Sequence, residues 1–480
     1  MLDQTRRDQL GVRYRLHIKI LSPLHVGAGG EDLQRRTPDF LPMNGQLIVV
    51  DPDKLTAVLG PHQIERLVAG VSMTELLEGL RDDQKQALAA YTLQDPGGDV
   101  TTIRPHVKLP GARPYLPGSS LKGALRTALA WAMVDDGVVQ VRVRDLGTNR
   151  YWASSRLEQA LFGSDPNHDL LRALHVGDSE GTAWQGGLRL AQVAVYSIQH
   201  QRRLAPKGSR FRLHLETIPE GVSFTATARR DSFILEPDQA RQLRFGDRPA
   251  YLLRLPHHAN RLAEKLISQE RDFYRRYGPA RLVEFYDRLG QTLAGLERER
   301  SCLVQVAWGT GWTAKTVGPA LDEALLTEVK ARYRLGRQGD VFPKTRRLVE
   351  RGFEAMMPLG WLQVTFESLG EDVEPPGAVR PKPAKLESEE PPRKQPLVRP
   401  RRIEDLEVEQ LVEGRVDGIA SFGAFVDIGL PFNGLIHISE LREGRVERVE
   451  DVVQVGQVVQ VRVIRIDVQR RRIGLSLKQV

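Results

Sequence analysis

The spacing of apolar residues divides the chain into strands, helices and one stretch that has neither period. Apolar side chains alternate over residues 14–20, which predicts a first strand. Further alternating segments predict strands at 46–50, 188–198, 209–218, 223–228, 303–307 and 362–366. Apolar positions three and four apart predict helices over 117–133 and 260–290, of which the second is long and charged. This order of elements predicts an α+β fold of two halves, each a small sheet with helices on one face.

The stretch without a period predicts a linker. Between residues 371 and 400, eight of thirty residues are proline, interleaved with Glu, Lys and Arg. Such a segment buries too little apolar surface to offset its ordering entropy, so we expect an extended connection between two folded parts. The predicted boundaries are 1–370 for the first part, 371–404 for the linker and 405–480 for the last part. We expect the first part to divide near residue 190.

The last part alternates in short segments that have glycine at their ends, a pattern typical of a five-stranded all-β barrel. The segments are 414–419, 422–428, 434–441, 458–466 and 473–478. Over its full length this part resembles the S1-type RNA-binding domain, which is an OB-fold.

The resemblance implies that side chains on one face of the barrel bind single-stranded RNA. Position by position, it assigns base stacking to Phe422, Phe425 and His437, and phosphate contact to Arg472. Stacking contributes about 1 to 3 kcal/mol per base and requires no bulk positive charge. Three alternatives stay open: Phe425 packs in the core, a neighbouring arginine replaces Arg472, or the barrel is a docking module that recruits a maturation nuclease.

Composition and charge fit a polyanionic partner for the first part. The chain has 480 residues, of which 41% are hydrophobic and 27% charged, with a net charge of +8. Residues 405–480 contain ten Lys and Arg against twelve Asp and Glu. The positive excess therefore belongs to the first four hundred residues, and we expect electrostatic contact with phosphate there.

Several classes of protein do not fit this sequence. No apolar leader and no run of eighteen apolar residues is present, so we expect a cytoplasmic protein without a membrane partner. The single cysteine, Cys302, lies in an apolar run, which favours buried packing over catalysis. No Cys/His metal spacing and no nucleophile elbow occur, so we expect no metal and no cofactor.

A proline-glycine-serine motif, residues 117–120, opens the predicted helix. Glycine permits close backbone approach, a serine caps the helix, and the free N–H groups with the helix dipole favour an anion. Two basic residues follow one turn apart. The candidate ligands of this motif are Gly118, Ser119, Ser120, Lys122 and Arg126. An ordinary capped helix with solvated basic residues is the alternative.

A turn after the first strand carries three more candidates, His25, Gly27 and Gly29. Together with the motif at residue 118, this turn resembles the RAMP superfamily of CRISPR proteins. The resemblance implies RRM-like (ferredoxin-like) folds that bind guide RNA (crRNA).

A tryptophan-glycine loop at 308–316 and a basic segment at 342–348 resemble one member of that superfamily. This member caps the 3′ end of the crRNA in type III-A (Csm) effector complexes. The candidate ligands are Gly309, Gly311, Lys315, Lys344, Arg346 and Arg347. Trp308 or Trp312 is a candidate for stacking on a base, and a core position is the alternative for each.

The resemblance predicts a crRNA-binding subunit without catalytic residues. Its expected partners are crRNA, single-stranded RNA and other subunits of the type III effector complex, especially the backbone RAMP subunit. A metal-assisted ribonuclease that uses Asp32 or Asp39 is the competing hypothesis, because the backbone subunit cleaves RNA with an aspartate after its first strand. Asp39 also reads as a loop residue that leads into the second strand.

Overall fold

The computed structural model describes the chain as two compact units, Met1–Ala378 and Val379–Val480. Within them it does not describe residues 1–8, 36–37, 98, 148–152, 200–202, 209–211, 233, 337–340, 353, 374–405, 407–409, 421–422, 431–432, 438–439, 443–448, 455, 468–471 and 479–480. Most of the predicted linker therefore lies outside the described residues. Its first three residues, 371–373, belong to a strand, because they continue to pair with the first strand of the chain.

A five-stranded antiparallel sheet carries the largest core of the first unit. Its strands, in spatial order, are Ser301–Gln305, Trp361–Val373, Gln9–Ile20, Ser223–Arg230 and Leu174–Val176. Leu16, Ile18 and Ile20 are buried on one face of this sheet, as their alternation predicts. Three long helices pack against that face: Gly118–Asp135, Leu255–Tyr277 and Ala280–Ala294.

A second sheet supplies most of the remaining strands of the first unit. In spatial order they are Glu354–Met357, Thr345–Arg351, Arg189–Ile198, Arg212–Thr217, Thr102–Arg104 and Leu33–Gln34, and Leu204–Pro206 pairs with Arg189–Ile198. Both sheets draw strands from either side of residue 190. The predicted division near residue 190 is therefore wrong, because the first strand pairs with Ser223–Arg230 and Trp361–Val373 and not with nearby segments.

Smaller elements complete the first unit. A three-stranded sheet consists of Phe40–Met43, Gln46–Val50 and Ala89–Gln94, and a two-stranded one of Lys108–Leu109 and Arg113–Pro114. The shorter helices are Leu55–Val58, Pro61–Val68, Met73–Glu78, Asp82–Ala87, Ser155–Phe162, Trp184–Gly187, Pro237–Gln242, Pro249–Leu253 and Glu323–Tyr333. No helix within the described residues is long and apolar enough to cross a membrane.

The predicted long helix over 260–290 is two helices, Leu255–Tyr277 and Ala280–Ala294. Pro279 separates them because proline lacks the N–H that a continuous helix requires at this position. Cys302 is fully buried in the core, as expected, and burial raises the pKa of its thiol to about 12.

The second unit is a closed barrel of five strands, as predicted. Its strands, in spatial order, are Leu411–Ala420, Gly423–Asp427, Gly434–His437, Arg472–Ser476 and Val458–Asp467. Glycine stands where strands approach closely: a Cβ at Gly423 would lie 2.2 Å from the Ile436 carbonyl oxygen.

Candidate nucleic-acid interface

The first turn, defined as residues 22–30, carries His25, Gly27 and Gly29. The two glycines are exposed, and the φ of Gly29 is +77°, a conformation that favours glycine. His25 is only 2% exposed, and its Nδ1 donates to the Glu216 carbonyl oxygen at 2.8 Å. Burial lowers the pKa of His25, so the ring is neutral near pH 7. The prediction that His25 contacts RNA is wrong, because its ring is enclosed by its own chain.

A second buried histidine, His106, ties the first turn to the segment before the helix Gly118–Asp135. Its Nδ1 accepts from the Val26 N–H at 3.1 Å, and its Nε2 donates to the Tyr115 carbonyl oxygen at 3.1 Å. One accepting and one donating nitrogen require a neutral ring. In agreement, burial lowers the pKa of His106 to about 3.

The buried carboxylate of Glu216 completes this junction. It accepts from the Tyr91 hydroxyl at 2.6 Å and from the His106 N–H at 2.8 Å. Lys108 forms an ion pair with the same carboxylate. Burial and the nearby carboxylate raise the pKa of Tyr91, which keeps its hydroxyl a donor. A buried carboxylate with these partners holds the surrounding loops in one arrangement.

The helix Gly118–Asp135 begins where the sequence predicts, but for a different reason. A Cβ at Gly118 would lie 2.3 Å from the Val176 carbonyl oxygen, so this glycine permits close approach within the chain. The Gly118 N–H donates to Asp178 Oδ1 at 2.8 Å. A carboxylate of the protein therefore already meets the helix N-terminus, where an external anion was predicted. The N-cap residue is Pro117, so the predicted serine cap is wrong.

The other residues of this motif divide into structural and surface positions. Arg126 donates to Asp169 at 2.7 Å, and its guanidinium lies 3.9 Å from the centre of the Phe162 ring. These contacts give Arg126 a role within the chain, and its contact with phosphate stays a prediction. Burial lowers the pKa of half-buried Lys122. Ser119 is exposed and Ser120 is half-buried, and an RNA contact by either stays a prediction.

The tryptophan loop, defined as residues 308–316, lies against the first turn. The Trp308 N–H donates to the His25 carbonyl oxygen at 3.1 Å. Two guanidinium groups approach the Trp308 ring, that of Arg347 at 5.0 Å and that of Arg104 at 5.9 Å from its centre. Trp308 thus lies between two arginine side chains and packs against a small apolar cluster of the first unit.

Trp312, the second tryptophan of this loop, is fixed by its neighbours. Its ring packs so closely on Gly318 that a Cβ there would lie 1.9 Å from it, and it meets Phe342 edge to face at 4.9 Å. Two glycines of the loop have φ angles of +88°. A Cβ at Gly309 would lie 2.6 Å from Leu359, whereas nothing lies within 4 Å of a Cβ at Gly311. Gly311 is therefore the glycine at which a ligand has room.

The tryptophan loop and the basic segment meet at a cavity of about 740 Å³. Five predicted ligands line it: Gly309, Gly311, Lys344, Arg346 and Arg347. The sequence prediction thus brings together residues that are more than thirty positions apart. Lys315, the sixth candidate of this group, is exposed, and its pKa is lowered by the partial burial of its ammonium and by the charge of Arg347.

Arg346, one of the five lining residues, is paired with a carboxylate of the chain. Its guanidinium forms two hydrogen bonds with the Glu270 carboxylate, at 2.6 and 2.7 Å, and lies 4.0 Å from the centre of the Phe273 ring. Burial opposes the charge of Arg346, but Glu270 outweighs it and raises the pKa of the guanidinium. This pairing gives Arg346 a structural role within the chain, and a contact between Arg346 and phosphate stays a prediction.

The two aspartates of the competing ribonuclease hypothesis have partners within the chain. Asp32 forms an ion pair with Arg104 at 3.4 Å. The Asp39 carboxylate accepts from the Gln34 N–H at 2.7 Å, and Asp39 directly precedes the strand Phe40–Met43. Asp39 thus has the loop position that the alternative interpretation expected.

In the barrel, the strand alternation separates core from surface. Ala424, Val426 and Ile436 are fully buried inside. Phe425 is half-buried and His437 exposed, and both belong to the opposite, outer face, so Phe425 does not pack in the barrel core. Phe422 lies outside the described residues. Arg472 begins the strand Arg472–Ser476, and only its backbone is described.

The sequence analysis missed several residues that build this interface. Lys207 and Arg334 line the cavity, Arg104 flanks Trp308, and His106 and Glu216 hold the loops. One signal was available. Glu216 is an acidic residue at the buried end of a strand, and such a residue requires cationic or hydrogen-bonding partners.

Two family models match the chain. Residues 17–246 match the RAMP superfamily, and residues 405–478 match the S1 RNA binding domain. The small ribosomal subunit protein bS1 of Mycolicibacterium smegmatis is 53% identical over 70 residues, which are 15% of this chain and 15% of that protein. The transcriptional accessory protein Tex of Neisseria gonorrhoeae is 46% identical over 76 residues, 16% of this chain and 10% of that protein. The chain therefore spans only a small part of the curated relatives it matches.

Two solved structures share the fold of the first unit. A chain in the cryo-EM structure of a type III-A Csm–crRNA–target RNA ternary complex aligns with a TM-score of 0.54 and 24% identity. The alignment covers 74% of this chain and 100% of that chain. Csm5 of T. onnurineus aligns with a TM-score of 0.50 and 23% identity, over 72% of this chain and 99% of that one. At these identities the likeness establishes the fold.

Proposed function

We propose that this chain, which joins a RAMP-superfamily domain to a C-terminal S1 RNA-binding domain, is a crRNA-binding subunit of a type III CRISPR effector complex. It binds the 3′ part of the crRNA, caps that end of the complex and contacts the backbone RAMP subunit there. It has no catalytic residues of its own. The barrel binds single-stranded RNA nearby.

The observation that carries this proposal is the cavity of the first unit. Separate stretches of chain converge on it, and they bring Lys207, Gly311, Lys344 and Arg347 to one concave surface. Partial burial of its ammonium, and after it the charge of Arg347, lower the pKa of Lys315, so a further cation lies near Arg347. An anionic ligand relieves the repulsion between such cations, and a ribose-phosphate chain supplies one charge per nucleotide.

The chemistry of the cavity suits a backbone contact. Gly311 leaves room for a ligand to approach the main chain, and the lysine and arginine side chains that line the cavity supply donors suited to phosphate oxygens. Such contacts position RNA without reading its sequence. This suits a subunit that must hold guides of different sequence.

The barrel complements the cavity by a different kind of contact. Phe425 and His437 share the outer face of two neighbouring strands, and residues 405–480 have nearly balanced charge. Base stacking on aromatic rings accounts for RNA binding by a surface of this kind. This assignment rests on the S1 family match and on the outward position of the two side chains.

The test is to purify the tagged chain with its natural neighbours from its host and to sequence the RNA that accompanies it. We expect repeat-derived guides. The double variant Lys344→Gln/Arg347→Gln is expected to retain much less guide RNA than the control Arg275→Gln/Arg300→Gln, whose arginines are exposed elsewhere. Random cellular RNA, or equal guide recovery from both variants, contradicts the proposal.

The absence of catalysis needs its own assay. Cleavage of a guide-complementary RNA by the assembled complex is expected to be unchanged in Asp32→Ala and in Asp39→Ala, because both carboxylates have partners within the chain. Loss of one cleavage position in either variant establishes the competing ribonuclease hypothesis.

A further inference from the structure

The outer face of the five-stranded sheet is a second basic surface, separate from the residues that line the cavity. The long helices cover the face that carries Leu16, Ile18 and Ile20. The alternate residues of the same strand point to the other face and are exposed. They are Arg13, Arg15, His17 and Lys19. One strand thus carries a row of basic residues at every second position.

The neighbouring strands add polar groups and one further cation to this face. Opposite Arg13 lies Arg229, and opposite Arg15, His17 and Lys19 lie Thr227, Thr225 and Ser223. The strand on the other side contributes Gln363, Thr365 and Glu367. Glu367 accepts from His17 at 2.8 Å and pairs with Arg15 at 3.4 Å. Across the described residues of this patch, four arginine and lysine side chains face one carboxylate.

The basic row continues toward the start of the helix Gly118–Asp135. His175 lies opposite Arg229 on the edge strand. Burial, and after it the charges of Arg229 and Lys122, lower the pKa of His175, whereas the charge of Asp231 opposes this shift. The surface runs from His175 on the edge strand across the neighbouring strands to Lys19.

We infer that this outer sheet face binds a stretch of RNA additional to the one in the cavity, through its ribose-phosphate backbone. Residues two apart on a strand are spaced about 6.7 Å, comparable with the repeat of an extended nucleotide chain, so successive side chains meet successive phosphates. A shallow groove of about 240 Å³ crosses the face between His17, Lys19, Ser223, Thr225, Gln363 and Thr365. Its hydroxyl and amide groups donate to phosphate and ribose oxygens.

The same face argues against base recognition. The side chains of the patch include no phenylalanine, tyrosine or tryptophan among the described residues 13–19, 223–229 and 363–367 that point outward. RRM-type sheets that read bases do so by stacking them on aromatic side chains. A row of cations without aromatic rings binds the charged backbone of any sequence instead, and its affinity depends strongly on salt.

The test measures the salt dependence of RNA binding by the full-length chain. The probe is a uridine homopolymer longer than the roughly 4 to 16 nucleotides that one OB-fold covers. The variant Arg15→Gln/Lys19→Gln removes two exposed cations. The control Arg241→Gln/Arg275→Gln removes two exposed arginines that lie on helices, outside the sheet and the cavity.

We expect the slope of log K against log salt to fall by about 1.4 in the sheet variant, and affinity to fall about 25-fold at about 0.1 M salt. The control is expected to behave as wild type. Tryptophan fluorescence unfolding checks that both variants fold. An unchanged slope, or an equal change in the control, overturns the inference. So does unchanged RNA binding with lost assembly of the complex, which identifies the face as a protein contact.

RNA binding by the outer sheet face and RNA binding by the cavity are tested by different variants, so either claim can be contradicted without the other. Lys344→Gln/Arg347→Gln changes the cavity, and Arg15→Gln/Lys19→Gln changes the sheet face. If both surfaces bind RNA, the two slope changes are expected to add in the combined variant, because Lys344 and Arg347 line the cavity whereas Arg15 and Lys19 lie on the strand Gln9–Ile20. If the salt slope changes in the sheet variant alone, the outer sheet face binds RNA and the proposed RNA contact at the cavity is wrong.

Discussion

The cavity of the first unit and the outer face of the barrel are built in opposite ways. The cavity combines residues from distant parts of the chain, such as Lys207, Gly311 and Arg347. The barrel face takes Phe425 and His437 from two strands that follow each other directly. A surface made by neighbouring strands follows from local alternation. A surface made by distant segments depends on which partner each side chain finds in the folded chain.

Two adjacent arginines show this dependence. Arg346 and Arg347 follow each other on one strand, so they point to opposite faces. Arg346 meets the buried Glu270, whereas Arg347 is exposed beside Trp308 at the cavity. Equal residue type and neighbouring position thus lead to a structural role for one and a candidate ligand role for the other.

The largest expected effect is a loss of stability when the buried ion pair between Arg346 and Glu270 beside the cavity is broken. Glu270→Gln leaves the Arg346 guanidinium buried without its carboxylate, which is expected to lower the free energy of unfolding by about 3 to 5 kcal/mol. Denaturant unfolding followed by tryptophan fluorescence measures this, because all six tryptophans lie between Trp131 and Trp361, in the first unit.

The matched control lies on the same helix. Glu264 pairs with Arg298 at 3.7 Å in an exposed position, and Glu264→Gln is expected to cost less than about 1 kcal/mol. Equal losses in the two variants contradict the division of the arginines into structural and ligand roles.

A second prediction tests the glycine of the helix motif. Gly118→Ala places a Cβ against the backbone at Val176, so we expect the free energy of unfolding to fall by about 1 to 3 kcal/mol. Gly123 lies in the same helix, is exposed, and has nothing within 4 Å of a Cβ. Gly123→Ala is therefore expected to stabilise the first unit by about 0.5 to 1 kcal/mol. A tolerated Gly118→Ala returns this glycine to the list of ligand candidates.

The third prediction separates stacking from charge. Phe425→Ala is expected to weaken RNA binding by about 1 to 3 kcal/mol, or roughly 5- to 150-fold, with little change in salt slope. Lys344→Gln/Arg347→Gln is expected to lower the slope by about 1.4. Both are measured by titration of single-stranded RNA at several salt concentrations.

The control for the barrel is Val458→Ala, which truncates an exposed apolar side chain on another strand. It is expected to bind RNA as wild type. Unchanged affinity of Phe425→Ala instead supports the alternative that the barrel docks a protein.

The smallest effect concerns pH. The pKa of His106 is lowered in the folded chain to about 3, from 6.5 when unfolded, so the unfolded state binds the extra proton between these values. Stability is therefore full above pH 6.5 and falls as the pH decreases, by about 1 kcal/mol over the first unit of pH. His106→Gln is expected to lower the pH slope of stability, measured by unfolding at about pH 7.5 and 5.5, and to leave the part that His25 contributes. An unchanged slope shows that other groups cause it.

The local spacing of apolar residues and glycines predicted most of the individual strands and helices. The alternation at Leu16, Ile18 and Ile20, the helix start at Gly118 and the five barrel strands all follow from spacing and glycine position. The break at Pro279 was also visible in the sequence, but a continuous apolar stripe concealed it.

The arrangement of the strands in sheets and the partners of the candidate site residues depend on contacts between distant segments, which the sequence did not predict. The sheets interleave because the first strand pairs with residues more than two hundred positions away, and no local signal encodes this. His25 was predicted to contact RNA, but its ring donates to the Glu216 carbonyl oxygen and packs edge to face on Trp308. Arg126 and Arg346 met acidic residues from other helices and loops. The sequence identified groups able to bind phosphate, and the fold decided which of them reach the surface.

The most direct test of the central claim is ultraviolet crosslinking of the complex assembled with guide RNA, followed by mass spectrometry of the crosslinked peptides. The claim is that the cavity of the first unit holds RNA. We expect crosslinks in peptides that contain Gly311 and Lys344, and separate ones in the barrel peptide that contains Phe425. Crosslinks confined to the barrel, with none at the cavity, contradict the account.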